Sequence, residues 1–531
     1  MGVKHISNQK PALIVAMMNP ALYDHPVDRL ELIETHISWV ILTGPYAYKI
    51  KKPVNLGFLD FSTLEKRRFY CDEEVRLNRR LAEHIYLGVV SIIGPATQPE
   101  LGSHGQDGVI EYAVKMVQFP QQAQLDRLLA AGKLRRLQLD SIAAMVADFH
   151  HHIEVADQTV VYGLPGQVYQ PMAENFVQIR EQYPAQHGEQ VCLSLLDKLE
   201  QWSRIHFITL RPLLEERKED GYIRECHGDL HLRNLAWVDA APLAFDCIEF
   251  NPDLRWIDVI SEVAFMVMDL QAREQPGFSQ RFLNSYLEYT GDYAGCRVLA
   301  FYMVYRAMVR AKVNAIRSCQ AGIEAAAKEH AEQALLQYLQ LAQSCTETVE
   351  PQLIITYGMS ATGKTTVTQG LLEMLAAIRI RSDVERKRLF GLAAEQPAHA
   401  AAGEGIYTTA ASQRTYRKLV ELAGYVLDAG YTVIIDATCQ KYEQRELFRQ
   451  LASMNRVPYI ILEFSASAET LRERIVSREK GASDADLAVL EGQIAHWQPL
   501  RDEERDHALT IDTEALPSLQ SLAGKIRDQQ Q

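Results

Sequence analysis

Residues 353–375 restrict the fold more than any other stretch of the chain. Leu353–Tyr357 is a short apolar run of the buried-strand type, and Gly358-Met359-Ser360-Ala361-Thr362-Gly363-Lys364-Thr365 follows at once with the spacing G-x-x-x-x-G-K-T. Residues 366–375 then continue as a helix. A strand that turns through such a loop into a helix gathers backbone amides and a helix N-terminus around an anion. Gly358, Met359, Ser360, Ala361, Thr362, Gly363 and Thr366 are therefore predicted to shape a phosphate cradle, with Lys364 reaching the β- and γ-phosphates of a nucleotide and Thr365 coordinating Mg2+. The predicted surroundings are an α/β P-loop NTPase domain, a mainly parallel sheet flanked by helices, over residues 347–531.

The chain after the cradle supplies further candidates. Residues 378–381 read as a second strand ending in Ser382-Asp383, with Arg386 three residues beyond Asp383. A carboxylate at a strand end facing the γ-phosphate can take the proton of an acceptor hydroxyl, and Arg386 is placed to hold that acceptor. Residues 431–435 form another buried run ending in Asp436, which suits a water-mediated contact to Mg2+. Arg474 and Arg478 stand four apart on a helix beginning near residue 468, so they share a face and are candidates for a lid over the phosphates. A surface salt bridge is the competing reading for each of the two. This unit resembles the small P-loop kinases related to polynucleotide kinase, gluconate kinase and the zeta-toxin group. The resemblance implies Asp383 as base and the lid arginines as stabilisers of the transition state.

A second centre lies in Cys226-His227-Gly228-Asp229-Leu230-His231-Leu232-Arg233-Asn234. Phosphoryl transfer needs a carboxylate for the acceptor hydroxyl and oxygen ligands for the metal that bridges the ATP phosphates. Asp229 and Asn234 stand five apart, and Asp246 follows Asp229 by seventeen residues. A short hairpin, 235–238 and 243–245, fills that gap and returns Asp246 to the metal. The string H-G-D-L-H-x-x-N resembles the catalytic loop of the aminoglycoside phosphotransferase and choline kinase group. That resemblance implies an α+β, protein-kinase-like bilobal domain over residues 1–346, with an N-lobe to about residue 120 and a C-lobe over about 121–346.

Upstream, residues 34–43 and 46–52 read as two strands joined at Gly44-Pro45. Lys49 is the candidate for the lysine that holds the α- and β-phosphates, with Lys51 and Lys52 as alternatives. In the helix that follows, 63–82, Glu74 falls on the apolar side and Glu73 lines up with Lys66, Arg76 and Arg80, so Glu74 is the predicted partner of the lysine. No G-x-G-x-x-G precedes the lysine strand, and the hairpin around residues 36–39 is the nearest candidate to cover the phosphates. Residues 111–117 read as the strand leading into an adenine-binding hinge. Asp258, at the start of an apolar helix, is expected to brace the catalytic loop or simply to begin that helix. His150-His151-His152 makes a poor metal set, because consecutive helical residues point apart.

Over 531 residues, 47% hydrophobic and 23% charged, the composition is that of a globular multidomain chain. The net charge of −13 is spread along the chain and argues against nonspecific nucleic-acid binding. Eight scattered cysteines without a C-x-x-C pair fit a reducing cytoplasm and neither a disulfide framework nor a zinc site. No apolar run approaches membrane-spanning length. The order of the parts resembles a bacterial two-domain family, an aminoglycoside-phosphotransferase-like kinase fused to a P-loop kinase-like ATPase. This implies two ATP sites and gives no close guide to either substrate. The leading expectation is two Mg2+- and ATP-dependent modules acting on hydroxyls, small molecules first, with sugars, nucleosides, small alcohols and protein hydroxyls all open, no membrane partner and no guide to oligomeric state. Two other readings stand beside it. One is an ATP-binding regulator with a degenerate first module and an ATPase switch, and the other is a nucleic-acid end kinase in the C-terminal unit.

Overall fold

The computed structural model describes residues 10–57, 59–102, 107–182, 190–320, 322–347, 349–394, 396, 404–477, 486–515 and 517–529. Two compact units make up the chain. The first takes the residues up to Gln138 with 148–168 and 212–262, and the second takes 139–147, 169–211 and the residues from Val263 onward.

The first unit is built on a six-stranded antiparallel sheet in the order β1-β2-β3-β6-β4-β5. Its strands are β1 Glu31–Glu34, β2 Ser38–Leu42, β3 Tyr46–Lys51, β4 Tyr86–Ile93, β5 Glu100–Gly102 and β6 Val109–Val117. The single strand predicted over 34–43 is two strands, because Thr35 turns the chain: its backbone N–H donates to Ser38 O at 2.9 Å, and its Oγ1 accepts from Ser38 N at 2.9 Å. Side chains alternate across a strand. Tyr48 and Ile50 of β3 therefore join Ile14, Met17, Trp39 and Ile41 in a core on one face. Lys49 and Lys51 point to the other face, where the helix Leu64–Ala82 packs Cys71 and Val75 against Tyr86, Tyr112 and Val114. Thr63 caps that helix by accepting from Lys66 N.

Two small ribbons complete this unit. β7 Ile223–Glu225 pairs with β10 Trp256–Asp258. β8 Leu235–Val238 pairs with β9 Ala241–Ala244 through Asp239 and Ala240, both at positive φ, the conformation a tight two-residue hairpin demands.

The second unit carries a five-stranded parallel sheet, β11 Leu353–Tyr357, β12 Ile378–Arg381, β13 Val433–Asp436, β14 Tyr459–Ser465 and β15 Ala508–Asp512, in the order β12-β13-β11-β14-β15. β11 is buried at all five positions, as a strand covered on both faces requires. Ile354, Ile434, Ile460 and Leu462 pack one face against Val367, Leu371 and Leu372 of the helix Lys364–Leu375 and against Leu522 and Ile526 of the helix Leu519–Asp528. Along the outer edge of β12 runs the helix Pro276–Thr290, which stops at Gly291 in the left-handed conformation. Its Asn284 behaves as a strand partner for that edge: Nδ2 donates to Ala377 O at 2.9 Å and Oδ1 accepts from Arg379 N at 2.7 Å. Among the described residues no helix is long and apolar enough to cross a membrane.

Candidate functional sites

In the first unit five charged side chains meet under the sheet. Lys49 Nζ stands 2.7 Å from Glu74 Oε1 and also binds the carboxylate of Asp246. Lys51 Nζ stands 2.6 Å from Glu74 Oε2 and also binds Glu249. Burial by itself would raise the Glu74 carboxyl, but the Lys49 and Lys51 charges outweigh it and hold Glu74 well below the usual carboxylate range. Burial pushes Glu249 up despite Lys51. The alternatives open in the sequence separate here. Lys49 and Lys51 share Glu74, but the contact to Asp246 is made by Lys49, and Lys52 turns to Glu34. Glu73, half-buried, pairs instead with Arg76 and lies 3.4 Å from Arg255 Nη2.

The hairpin sets Asn234 and Asp246 beside each other. Leu235 pairs with Ala244, and Phe245 N donates to Asn234 O at 3.0 Å. Asn234 Nδ2 in turn donates to Asp229 Oδ2 at 2.9 Å and to Asp229 O at 3.0 Å. His231 Nε2 lies 3.4 Å from the same Asp229 oxygen. Asp246 takes a positive φ of 64°, a conformation that only a well-packed surrounding maintains in a non-glycine residue. Asn234 keeps a carbonyl oxygen and Asp246 a half-exposed carboxylate, so this hard-oxygen donor set fits Mg2+.

The loop carrying Asp229 is pinned from below. Gly228 has φ +88°, and a Cβ there would sit 2.7 Å from Leu254 O, so no larger residue fits. Its N–H donates to Glu262 Oε1 at 2.6 Å, and Glu262 Oε2 lies 2.8 Å from His150 Nε2. Asp258, expected either to brace this loop or to begin the following helix, engages Arg217 Nε at 2.7 Å and Arg217 Nη2 at 2.8 Å and accepts from Ile260 N of that helix at 2.9 Å. Sequence reading missed Glu262 and the partnership with His150; both sit on helices as ordinary-looking residues, and no spacing distinguishes them. His150 is the buried member of the three consecutive histidines, while His151 and His152 are exposed.

In the second unit the loop after β11 turns sharply into the helix Lys364–Leu375. Gly363 has φ +84°, and a Cβ on Gly358 would lie 2.9 Å from both Phe464 Cβ and Thr362 Oγ1. Ala361 also takes a positive φ. Lys364 Nζ donates to Gly358 O at 2.9 Å and to Met359 O at 2.6 Å, which folds its cation back over the loop. Ser360 N donates to Gln493 Oε1 at 2.8 Å, a contact with no forewarning in the sequence. Thr366 lies in the first turn of the helix. Thr365 Oγ1 donates to Asp436 Oδ2 at 2.8 Å, so a hydroxyl and a carboxylate converge where a hard cation would bind.

Asp383 lies in the first turn of the helix Ser382–Leu389, directly after β12. The register places Arg381 opposite Asp436, so Asp383 and Asp436 emerge at the same carboxyl edge of the sheet. Arg386 is buried and donates through Nη1 to Ile406 O at 3.0 Å and to Ser412 Oγ at 3.2 Å. Arg474 reaches the phosphate loop: Nη1 lies 3.4 Å from Ala361 O and 2.9 Å from Thr513 Oγ1. Arg478 lies outside the described residues.

This strand, loop and helix are those of a P-loop NTPase, and residues 353–500 match the AAA_33 family, an AAA domain. The chain as a whole belongs to the same family as an uncharacterized protein of Mycobacterium tuberculosis. The two are 31% identical over 482 residues, which cover 89% of this chain and 92% of the relative. Among solved structures, a putative kinase from Chloroflexus aurantiacus is 24% identical, with 34% of this chain and 100% of that one covered and a TM-score of 0.28. An amicoumacin kinase is 14% identical, with 62% and 92% covered and a TM-score of 0.39.

Proposed function

We propose that this protein is a cytoplasmic, ATP- and Mg2+-dependent phosphotransferase with two modules, residues 1–346 with a kinase-like bilobal fold and residues 347–531 with a P-loop kinase-like fold. Each transfers the γ-phosphate of ATP to a hydroxyl of a small molecule. The observation that carries the reading is the joint placement of Lys49, Glu74 and Asp246, with Asn234 bonded to Asp229. Lysine held by a buried glutamate grips phosphates, oxygen ligands hold the metal, and a carboxylate fixed by an amide faces the acceptor.

In the first module Lys49, oriented by Glu74, neutralises the α- and β-phosphates. Asn234 and Asp246 would hold Mg2+, which would supply charge neutralisation at the ATP phosphates. Asp229 orients the acceptor hydroxyl and takes its proton. In the second module the amides of residues 358–366 and Lys364 hold the phosphates, Thr365 and Asp436 hold Mg2+, and Asp383 takes the acceptor proton. Arg386 positions the acceptor, and Arg474 closes over the transferring phosphoryl group.

Transfer of labelled γ-phosphate from ATP into a fractionated extract tests this. Asp229→Asn and Asp383→Asn are each expected to lose a different labelled product, by about 10²- to 10⁴-fold. Slow hydrolysis that needs no acceptor and is unchanged in both variants defeats the proposal in favour of an ATPase switch.

A further inference from the structure

Glu288 stands near the C-terminal end of the helix Pro276–Thr290, outside the residues that match the AAA domain. Its carboxylate is divided between two arginines of β12. Oε1 accepts from Arg381 Nη1 at 2.7 Å, and Oε2 lies 3.5 Å from Arg379 Nη2. The helix is anchored at this edge by Asn284, by Gln280 Nε2 donating to Ala377 O at 2.8 Å, and by Arg388 binding Glu288 O.

Both arginines face the candidate metal ligands. Arg379 Nη1 donates to Thr365 O at 3.1 Å. Arg381 Nε lies 3.9 Å from Asp436 Oδ2, the same oxygen that accepts from Thr365 Oγ1. A guanidinium at that distance competes with a divalent cation for the carboxylate oxygen. The competition is strong in a site shielded from water, where unit charges interact more than in bulk solvent. Arg381 has two carboxylates to choose between, and the shorter contact is to Glu288.

We propose that Glu288 is a positioning residue of the P-loop site: it holds Arg381 off Asp436 and so keeps the Asp436 carboxylate available to Mg2+. A helix outside the matched domain thereby sets the metal requirement of that domain. The inference rests on the reading of Thr365 and Asp436 as Mg2+ ligands.

The test is binding of a fluorescent ATP analogue by the full-length protein across a Mg2+ titration, the signal lost in Lys364→Ala defining the P-loop site. Glu288→Gln keeps the side-chain shape and removes its charge. It is expected to raise the Mg2+ midpoint about three- to tenfold. Adding Arg381→Gln to it returns the midpoint to the wild-type value or below. A midpoint unchanged in Glu288→Gln overturns the proposal, and so does a raised midpoint that Arg381→Gln fails to restore. Should Glu288→Gln not fold, Glu288→Ala takes its place, alone and with Arg381→Gln, with the same expected rise and return and the same outcomes overturning the proposal. Asp436→Asn separates the two levels. If it keeps the wild-type Mg2+ response, the metal reading itself fails; if it loses that response while Glu288→Gln changes nothing, only the role of Glu288 fails.

Discussion

His227 shows how tightly the loop around Asp229 is specified. Its Nε2 lies 2.9 Å from Phe245 O, and its Nδ1 lies 3.3 Å from Asp229 N, so the neutral ring donates through Nε2 and accepts through Nδ1. Burial lowers its pKa below the ordinary 6.5, against the opposing charges of Glu262 and Asp229. The unfolded chain therefore binds more protons below pH 6.5. Stability present above that value is lost as the pH falls through the folded pKa. Denaturant midpoints at pH 7.5 and 5.5 are expected to fall further for wild type than for His227→Gln, whose amide can donate and accept without titrating. Equal slopes would remove His227 as the source. Part of this residue-scale chemistry was readable from spacing. Alternation along β3 put Lys49 and Lys51 on one face, and helical periodicity chose Glu74 over Glu73. Lys49 stood ahead of Lys51 and Lys52 in the sequence, but its contact to Asp246, nearly two hundred residues away, is one that spacing along β3 could not show.

At the scale of elements, the edge of β12 is the feature with the clearest energetic consequence. An unpaired strand edge invites association with other chains, and here the helix Pro276–Thr290 covers it with side-chain amides. Asn284→Ala removes the side-chain hydrogen bonds to Ala377 O, Gln280 O and Arg379 N and strands the buried Arg379 N–H, while Gln280 Nε2 still serves the Ala377 carbonyl. The expected destabilisation is about 1–3 kcal/mol, read as a lowered denaturant midpoint; a shift within error would mean that Gln280 and water suffice. The catalytic-loop hairpin makes the same point in reverse. Its first strand, 235–238, was predicted from the gap between Asp229 and Asp246, but the returning strand runs Ala241–Ala244 rather than 243–245, because Asp239 and Ala240 turn the chain in two residues at positive φ. The split at Thr35 was not predicted, because the turn there is made by a threonine hydroxyl rather than by glycine or proline. No glycine-rich loop was found in the sequence of this hairpin region.

At the scale of the molecule, the helices 263–344 belong to the same compact unit as the parallel sheet. A fragment of residues 350–531 would expose the β12 edge and leave Arg379 and Arg381 without Glu288. It is expected to self-associate and to melt at lower temperature than a fragment of residues 263–531, as measured by size-exclusion chromatography and thermal melting. Equal behaviour of the two fragments would show that the sheet needs no cover. By itself the sequence determined the phosphate loop, since adjacent residues dictate its strand, amide nest and helix. It likewise determined the Asp229, Asn234 and Asp246 grouping, which one hairpin assembles. Only the tertiary structure decided what surrounds them: Glu249 with Lys51, Glu262 with His150, Gln493 on Ser360 and Glu288 on Arg381. The physical reason is sequence separation. A contact within a turn or a hairpin follows from local backbone geometry. A contact between residues scores of positions apart depends on which helix packs on which strand, and that is set by burial over the whole unit.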